Sequence, residues 1–116
     1  MSAVIAEHEF AAALRSRLAI EPRPRSVTGP GRSGAVASVY ASHLLGVPFI
    51  PFGAPCPPHL RPLLVVDTAE QSGRTLRKAV RKYEAGGDVR GVAVYREPPR
   101  VRFWYEASVD NRLFVT

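Results

Sequence analysis

The residues best suited to chemistry follow an apolar run in the second half of the chain. Residues 63–66 read Leu-Leu-Val-Val, and Asp67 comes directly after them. Ser72, Gly73 and Thr75 follow where a helix is predicted to begin. Glycine allows the tight turn in which successive backbone amides converge, and a helix start adds free N–H groups and a partial positive charge. The loop is therefore predicted to cradle a phosphate, with Asp67 placed to accept hydrogen bonds from neutral hydroxyls such as those of a ribose.

A second glycine loop lies nearer the amino terminus. Residues 25–28 form a short strand candidate, and residues 29–34 read Gly-Pro-Gly-Arg-Ser-Gly. A helical pattern of apolar residues follows at once. The order strand, glycine turn, helix thus occurs twice, and each occurrence offers backbone amides at a helix start to an anion. Together the two loops predict a site for a sugar phosphate.

Alternating helices and strands must position these loops. Three helices are predicted: one over residues 3–18, a second directly after the first glycine loop, and a third over residues 74–85. Their apolar stripes are Phe10, Ala13, Leu14 and Leu18; Val36, Val39, Tyr40, His43 and Leu44; and Leu76, Ala79, Val80 and Tyr83. Beyond residues 25–28, strands are predicted at residues 47–52, 63–66, 91–95, 101–105 and 112–115. Such alternation indicates a mainly parallel α/β sheet, in which ligands bind beyond the carboxyl ends of the strands.

The loop after the Leu-Leu-Val-Val run resembles the phosphoribosyl pyrophosphate signature of the type I phosphoribosyltransferases. That signature has four apolar strand residues, two acidic residues and a short loop ending in Thr-Gly-x-Thr, whose end Ser72, Gly73 and Thr75 match. Residues 28–35 are similar to the family's pyrophosphate loop, and residues 101–115 to the carboxyl-terminal segment of its purine-type members. The resemblance implies a three-layer α/β fold, with a mainly parallel β-sheet flanked by helices and a reduced hood.

By this resemblance the protein would transfer a phosphoribosyl group from phosphoribosyl pyrophosphate to a nucleobase, a purine-like base being favoured, and release pyrophosphate. The implied cofactor is substrate-bound Mg²⁺, which normally binds through phosphate oxygens and few protein groups. The residues implied for each role are Asp67 and Gln71 for catalysis; Gln71, Ser72, Gly73, Arg74 and Thr75 for the 5′-phosphate; Asp67 and Thr68 for the ribose; Arg32, Ser33 and Gly34 for the pyrophosphate; and Trp104, Leu113 and Phe114 for the base.

Three departures from the family pattern support an alternative function. Thr68 stands where the family usually has a second acidic residue, and Gln71 stands where purine-type members often have a carboxylate for the base proton. Glu70, one position before Gln71, is the carboxylate nearest to that place in the sequence. Only residues 52–62 are available for the mobile lid of active members, and without closure water competes for an oxocarbenium ion. The alternative is a non-catalytic regulator of the same fold that binds a nucleotide or a nucleic acid.

Composition limits both interpretations. The 116 residues carry 16 Lys and Arg against 10 Asp and Glu, a formal charge of +6, and 46% of them are hydrophobic. This predicts one folded domain over residues 1–116 with an anionic partner, which composition alone does not identify. The motifs favour a nucleotide or sugar phosphate over nucleic acid, and the basic face of the third predicted helix is interpreted as a solvated surface.

The remaining expectations concern location and assembly. Cys56 has no partner for an internal disulfide, and no apolar run approaches the roughly 20 residues of a membrane span. The first ten residues lack the basic flank and apolar centre of a signal peptide, so a soluble cytoplasmic protein is expected. The three histidines show no metal-ligand spacing, and no side-chain metal site is assigned. A homodimer is compatible with a small sheet that has exposed edges.

Overall fold

A computed structural model describes residues 4–70, 72–96 and 100–103, with the backbone alone at residues 100 and 102. Four predicted site residues lie outside the described residues: Gln71, Trp104, Leu113 and Phe114. The strand predicted at residues 112–115 lies outside them as well. No helix in the described part of the chain is both long and apolar enough to cross a membrane.

Among the described residues five strands, numbered in chain order, form two sheets. They are β1 (Val4–Ala6), β2 (Ser26–Thr28), β3 (Leu63–Ala69), β4 (Val89–Tyr95) and β5 (Arg100–Arg102). A central parallel sheet has the order β2-β3-β4, while β1 and β5 form a separate parallel pair. In the central sheet β2 and β3 are parallel, with Thr28 opposite Val65, so their carboxyl ends lie at the same edge of the sheet.

In the part of the chain that the structure describes, three α-helices cover both faces of the central sheet: α1 (Glu7–Ala19), α2 (Gly31–Leu45) and α3 (Arg74–Tyr83). Successive residues of β3 point to opposite faces. Leu64 and Val66 therefore pack with residues of α1 and α2, whereas Val65 packs with Leu76 and Ala79 of α3. Because β3 is buried on both faces, its sequence is a continuous apolar run. The predicted three-layer α/β class, with a parallel sheet flanked by helices, is confirmed.

The amino-terminal helix begins later than predicted, because residues 4–6 form β1. Ile5 of β1 is opposite Val101 of β5, so two segments far apart in the sequence meet in one parallel pair. Phe103, just after β5, packs edge-on against Phe10 of α1 with ring centroids 5.3 Å apart. The pairing joins segments far apart in sequence, which helical spacing alone does not reveal.

The apolar stripe predicted for α2 is not the face that this helix buries. The residues that α2 buries are Gly34, Ala37, Ser38 and Ala41. Small side chains let the helix approach the sheet closely, and this contact decides which face is inside. Val36, Tyr40 and Leu44 pack at the margin of the core, while Val39 is 41% exposed and His43 is also exposed.

Residues 47–52 do not form the predicted strand. One parallel bridge joins Phe49 to Val27, with the Val27 N–H donating to Pro48 O (3.0 Å) and the Ile50 N–H donating to Val27 O (2.8 Å). Pro48 and Pro51 lack the amide hydrogens that a longer ladder would use. The segment therefore touches the edge of β2 and then turns away.

The connection from residue 51 to residue 62 packs against the end of the sheet at which β3 begins. The buried Tyr83, at the end of α3, donates its hydroxyl hydrogen to Ala54 O (2.9 Å) and accepts from the Gly53 N–H (2.8 Å). Cys56 packs with Tyr83 and with Leu63, the first residue of β3. Residues 51–62 include the segment available for a lid. These contacts hold it at the end of the sheet that lies opposite to the two glycine loops.

Replacing Tyr83 by phenylalanine should destabilise the protein by about 1–3 kcal/mol, because the Gly53 N–H and the Ala54 carbonyl both lose their partner. Urea denaturation measures the change. Tyr95→Phe is the matched control, since the Tyr95 hydroxyl makes no hydrogen bond among the described residues. Equal stability of the two variants would show that these hydrogen bonds do not anchor the segment.

Candidate functional site

Both glycine loops open onto one cavity at the carboxyl ends of β2 and β3. Its volume is about 330 Å³. The lining residues are Ser33, Asp67, Thr68, Ala69, Glu70, Ser72, Gly73, Arg74, Thr75 and Leu76. Ser33 comes from the first loop, and the others come from the end of β3, the second loop and the start of α3. Neighbouring parallel strands end at the same edge of a sheet, which is why residues so distant in sequence face one cavity.

The first loop is pressed against the end of β3. A Cβ atom added at Gly29 would lie 2.0 Å from Gly34 O and 2.5 Å from Val66 O. One added at Gly34 would lie 3.0 Å from the carbonyl carbon of Gly29. Only residues without a side chain allow this approach, and Ser33, which lies between the two glycines in the sequence, lines the same cavity as the start of α3.

The second loop ends at Gly73, the residue that precedes α3. Its φ of 76° lies in the left-handed region, which favours glycine. The Arg74 N–H donates to Ser72 Oγ (3.2 Å), and the Arg77 guanidinium donates to Ser72 O (3.1 Å). Ser72 is thus held from two sides at the mouth of the helix, where its hydroxyl faces the cavity residues.

Both helix starts carry a positive charge where the helix dipole favours a negative one. Neither N-cap residue, Pro30 of α2 or Gly73 of α3, makes a side-chain capping hydrogen bond, and neither helix has an acidic residue in its first turn. Arg32 and Arg74 occupy those first turns instead. A cation near a helix amino terminus is unfavourable by a few tenths of a kcal/mol to about 1 kcal/mol. A bound anion would offset this cost at both positions.

Asp67 is the buried acid of the site. It is 8% exposed at the carboxyl end of β3, and its Oδ1 accepts a hydrogen bond from the Thr68 N–H (2.8 Å). Burial raises the pKa of the Asp67 carboxyl above its ordinary value; the Thr68 hydrogen bond opposes the shift and the nearby Glu70 adds to it. No other hydrogen bond to this carboxylate occurs among the described residues, so it retains acceptor capacity for a ligand.

The structure separates the predicted site residues into three groups. Those that line the cavity are Ser33, Asp67, Thr68, Ser72, Gly73, Arg74 and Thr75. Arg32 is exposed and Gly34 is buried against Gly29, so neither lines it. The third group, Gln71 and the three base candidates, falls outside the described residues.

Glu70 was not among the predicted site residues, yet it lines the cavity. Its N–H donates to Tyr95 O (3.0 Å), which continues the β3–β4 ladder one residue beyond Ala69. Its position in the sequence, a carboxylate just after a strand and before a glycine turn, is the signal that indicates Glu70 as a site residue. Comparison with the family pattern drew attention to Gln71 instead.

Comparisons with known proteins bear on the fold. No family model matches the sequence, and no curated protein matches it. Among solved structures, the xanthine-guanine-hypoxanthine phosphoribosyltransferase of Helicobacter pylori is similar with a TM-score of 0.74 and 14% identity, over 100% of this chain and 99% of that one. A purine phosphoribosyltransferase from Pyrococcus horikoshii has a TM-score of 0.65 and 16% identity, over 89% of this chain and 94% of that one. This chain therefore has a type I phosphoribosyltransferase-like fold, and its two glycine loops meet at the carboxyl edge of that fold's sheet.

Proposed function

We propose that the protein is a phosphoribosyltransferase that uses phosphoribosyl pyrophosphate and a purine-like nucleobase and releases pyrophosphate. The observation that carries the proposal is the cavity shared by the two glycine loops, with no acidic residue and a cation in the first turn of each helix. A molecule with two separate phosphate groups would use both helix starts at once. The similar solved structures are purine phosphoribosyltransferases by name, which supports the choice of base.

The two ends of the donor would be bound by different loops. The Ser72 hydroxyl and the backbone amides of Gly73 to Thr75, with Gln71, would hold the 5′-phosphate at the start of α3. Arg32, Ser33 and the Gly34 amide would hold the pyrophosphate at the start of α2. Trp104, Leu113 and Phe114 remain the proposed base contacts.

Asp67 would act between the two phosphates, on the ribose. Its free acceptor capacity suits the ribose hydroxyls, with Thr68 as a neighbouring hydroxyl. A fixed negative charge close to the sugar also favours a ring that becomes positively charged as pyrophosphate leaves. Gln71 would contact the incoming base as an amide. The protein's contribution to this reaction is positioning and charge stabilisation.

The donors around the cavity fit a Mg²⁺ ion that arrives with the substrate. Mg²⁺ prefers oxygen ligands and usually combines one or two carboxylates with substrate phosphates. Asp67 and Glu70 line the cavity beside the predicted phosphate positions, and the described residues contain no cluster of three or more side chains able to hold a metal alone. When bound, the ion would supply positive charge to the departing pyrophosphate.

A non-catalytic binding function is the second candidate. Among the described residues nothing covers the cavity as a lid, because residues 51–62 are anchored to Tyr83 at the other end of the sheet. A protein that binds phosphoribosyl pyrophosphate or a nucleotide without excluding water would serve as a sensor or regulator.

Pyrophosphate release separates the two candidates. The protein is incubated with Mg²⁺ and phosphoribosyl pyrophosphate and a panel of bases: adenine, guanine, hypoxanthine, xanthine, uracil and orotate. Release with one or more purines, absent without a base, is the expected result. Binding of the donor by calorimetry without release with any base would favour the regulator, and absence of both would overturn the proposed site. A regulator that contacts nucleic acid would lose that affinity steeply with added salt.

Replacing Ser72 by aspartate should weaken binding of phosphoribosyl pyrophosphate by about a hundredfold or more, because like charges in contact cost several kcal/mol. An acid at this position suits the dipole of α3, so thermal stability should be kept or slightly raised. Ser16→Asp, on the exposed face of α1, adds the same charge far from the cavity and should bind normally. Unchanged affinity of Ser72→Asp would place the phosphate elsewhere.

A further inference from the structure

The peptide group between Ser72 and Gly73 borders two cavities. One is the phosphate cavity, which both residues line. The other has a volume of about 400 Å³ and lies beside α3 and β4; Ser72 and Gly73 line it together with Arg77 and Arg81. Neither of these two arginines lines the phosphate cavity. The direction of this peptide group therefore decides whether it offers the phosphate cavity an N–H donor or a carbonyl acceptor.

Arg77 holds the carbonyl of this peptide group. Its guanidinium donates to Ser72 O (3.1 Å), and its backbone N–H donates to Gly73 O (2.9 Å). A long side chain on a helix leans toward the amino terminus of that helix, which brings the guanidinium back to the start of α3. A Cβ atom added at Gly73 would lie 2.8 Å from Arg77 Nη1, so the guanidinium lies close to this glycine. One residue thus binds two successive carbonyls of the loop.

The same peptide group must turn its N–H the other way. The bond between Ser72 and Gly73 is trans, and in a trans peptide the C=O and the N–H point in opposite directions. Because the carbonyl is directed to Arg77, the Gly73 N–H is directed away from Arg77. Within the described residues this N–H donates to no acceptor. An unused donor just before a helix is suited to a phosphate oxygen.

Glycine makes the orientation of this peptide group easy to reverse. Gly73 accepts positive and negative φ about equally well, so the peptide before it can rotate with little steric resistance. A reversed peptide would turn Ser72 O, which carries a partial negative charge, toward a bound phosphate. The hydrogen bond from Arg77 to Ser72 O stabilises the orientation that avoids this repulsion.

We propose that Arg77 is a positioning residue of the phosphate site, which holds Ser72 O so that the Gly73 N–H donates to the 5′-phosphate. The proposal rests on the proposed function, since it assumes that a 5′-phosphate binds in the phosphate cavity. Arg77 acts through the peptide group and lines the cavity on its other side. Arg74 differs in this respect, because it lines the phosphate cavity itself.

Calorimetry with ribose 5-phosphate, which has the 5′-phosphate but no pyrophosphate, tests this role. Arg77→Met removes the guanidinium and keeps an unbranched side chain, and it should weaken binding by about five- to tenfold, as expected for the loss of one hydrogen bond. Arg81→Met is the matched control. It removes the same charge one turn later in α3, and the Arg81 side chain makes no hydrogen bond among the described residues. Its affinity should stay within about twofold of wild type, because solvent and salt screen an exposed charge.

The NMR signal of the Gly73 amide distinguishes positioning from a simple effect of charge. In the wild-type protein ribose 5-phosphate should shift the Gly73 amide proton downfield, because the N–H then donates to a charged acceptor. At saturating ligand this shift should be smaller in Arg77→Met and unchanged in Arg81→Met. Weaker binding by Arg77→Met with an unchanged Gly73 shift would overturn the proposal, and so would equal affinity of the two methionine variants.

The Ser72→Asp variant distinguishes a failure of this role from a failure of the proposed function. If Ser72→Asp loses ribose 5-phosphate while Arg77→Met binds it like wild type, the phosphate site is supported and the role of Arg77 is wrong. If Ser72→Asp binds ribose 5-phosphate normally, the phosphate lies elsewhere and both proposals are wrong.

Discussion

Gly29→Ala should destabilise the protein by about 3–4 kcal/mol or more, at the upper end of what overpacking produces. The added methyl group would meet Gly34 O at 2.0 Å and Val66 O at 2.5 Å. Both obstacles are backbone atoms, one in α2 and one in the central strand, and neither can rotate away as a side chain would. Relief requires the first loop to separate from β3, which would also open the phosphate cavity.

Urea denaturation of Gly29→Ala, with donor binding measured in parallel, tests this expectation. Gly46→Ala is the control, because Gly46 has a φ of 67° and open space around its Cβ position. It should lose only the cost of a left-handed alanine, about 1–2 kcal/mol, and bind the donor normally. A Gly29→Ala protein as stable as Gly46→Ala would mean that the loop does not press against the strand.

Asp67→Asn should make the protein more stable at neutral pH while it impairs donor binding. Burial raises the pKa of Asp67, so ionising this carboxyl is harder in the folded chain than in the unfolded one. Below pH 3.8, the ordinary pKa of this group, the carboxyl is neutral in both the folded and the unfolded chain, and the folded chain keeps its full stability. Stability is lost as the pH rises through the higher pKa of the folded chain. Asparagine stays neutral and still accepts from the Thr68 N–H, so it avoids that loss.

The functional effect of Asp67→Asn has the opposite sign. Hydrogen bonds to a charged acceptor contribute about 1.5–3 kcal/mol, so donor affinity should fall by roughly ten- to a hundredfold. A substitution that stabilises the fold and damages binding identifies a group kept for its function.

Thermal unfolding across a pH series measures the stability change. The gain of Asp67→Asn over wild type should be present at pH 7 and should vanish as the pH falls below 3.8. Asp88→Asn, at an exposed position, should give no comparable gain. If Asp67→Asn were less stable than wild type at pH 7, the carboxylate would have a structural role that the site does not show.

The sequence predicted the elements that depend on local patterns. A continuous apolar run identified β3, and helical spacing with a glycine turn identified α3. The meeting of Ser33 with the Asp67 loop also followed from the sequence, because parallel strands end at one edge. In each case the information lies within a few residues of the element concerned.

The wrong predictions involve contacts that local patterns do not contain. The β1–β5 pair joins Ile5 to Val101 across most of the chain. On α2, the stripe of larger apolar residues was conspicuous, but close approach to the sheet selected Ala37 and Ala41 for the buried face. At residues 47–52, two prolines limited a strand that apolar character had suggested. Glu70 was missed as a site residue because its role depends on where β3 ends.

The parallel pair of β1 and β5 has a consequence for the order of folding. Bringing Ile5 to Val101 closes a loop of nearly the whole chain, whereas β2, β3 and β4 join through much shorter connections. The loss of loop entropy on closure grows with length, so the central sheet and its phosphate cavity should form before β1 and β5 pair. The early-forming part of the molecule would then hold the donor site, and the last step would deliver the chain that leads toward the proposed base contacts.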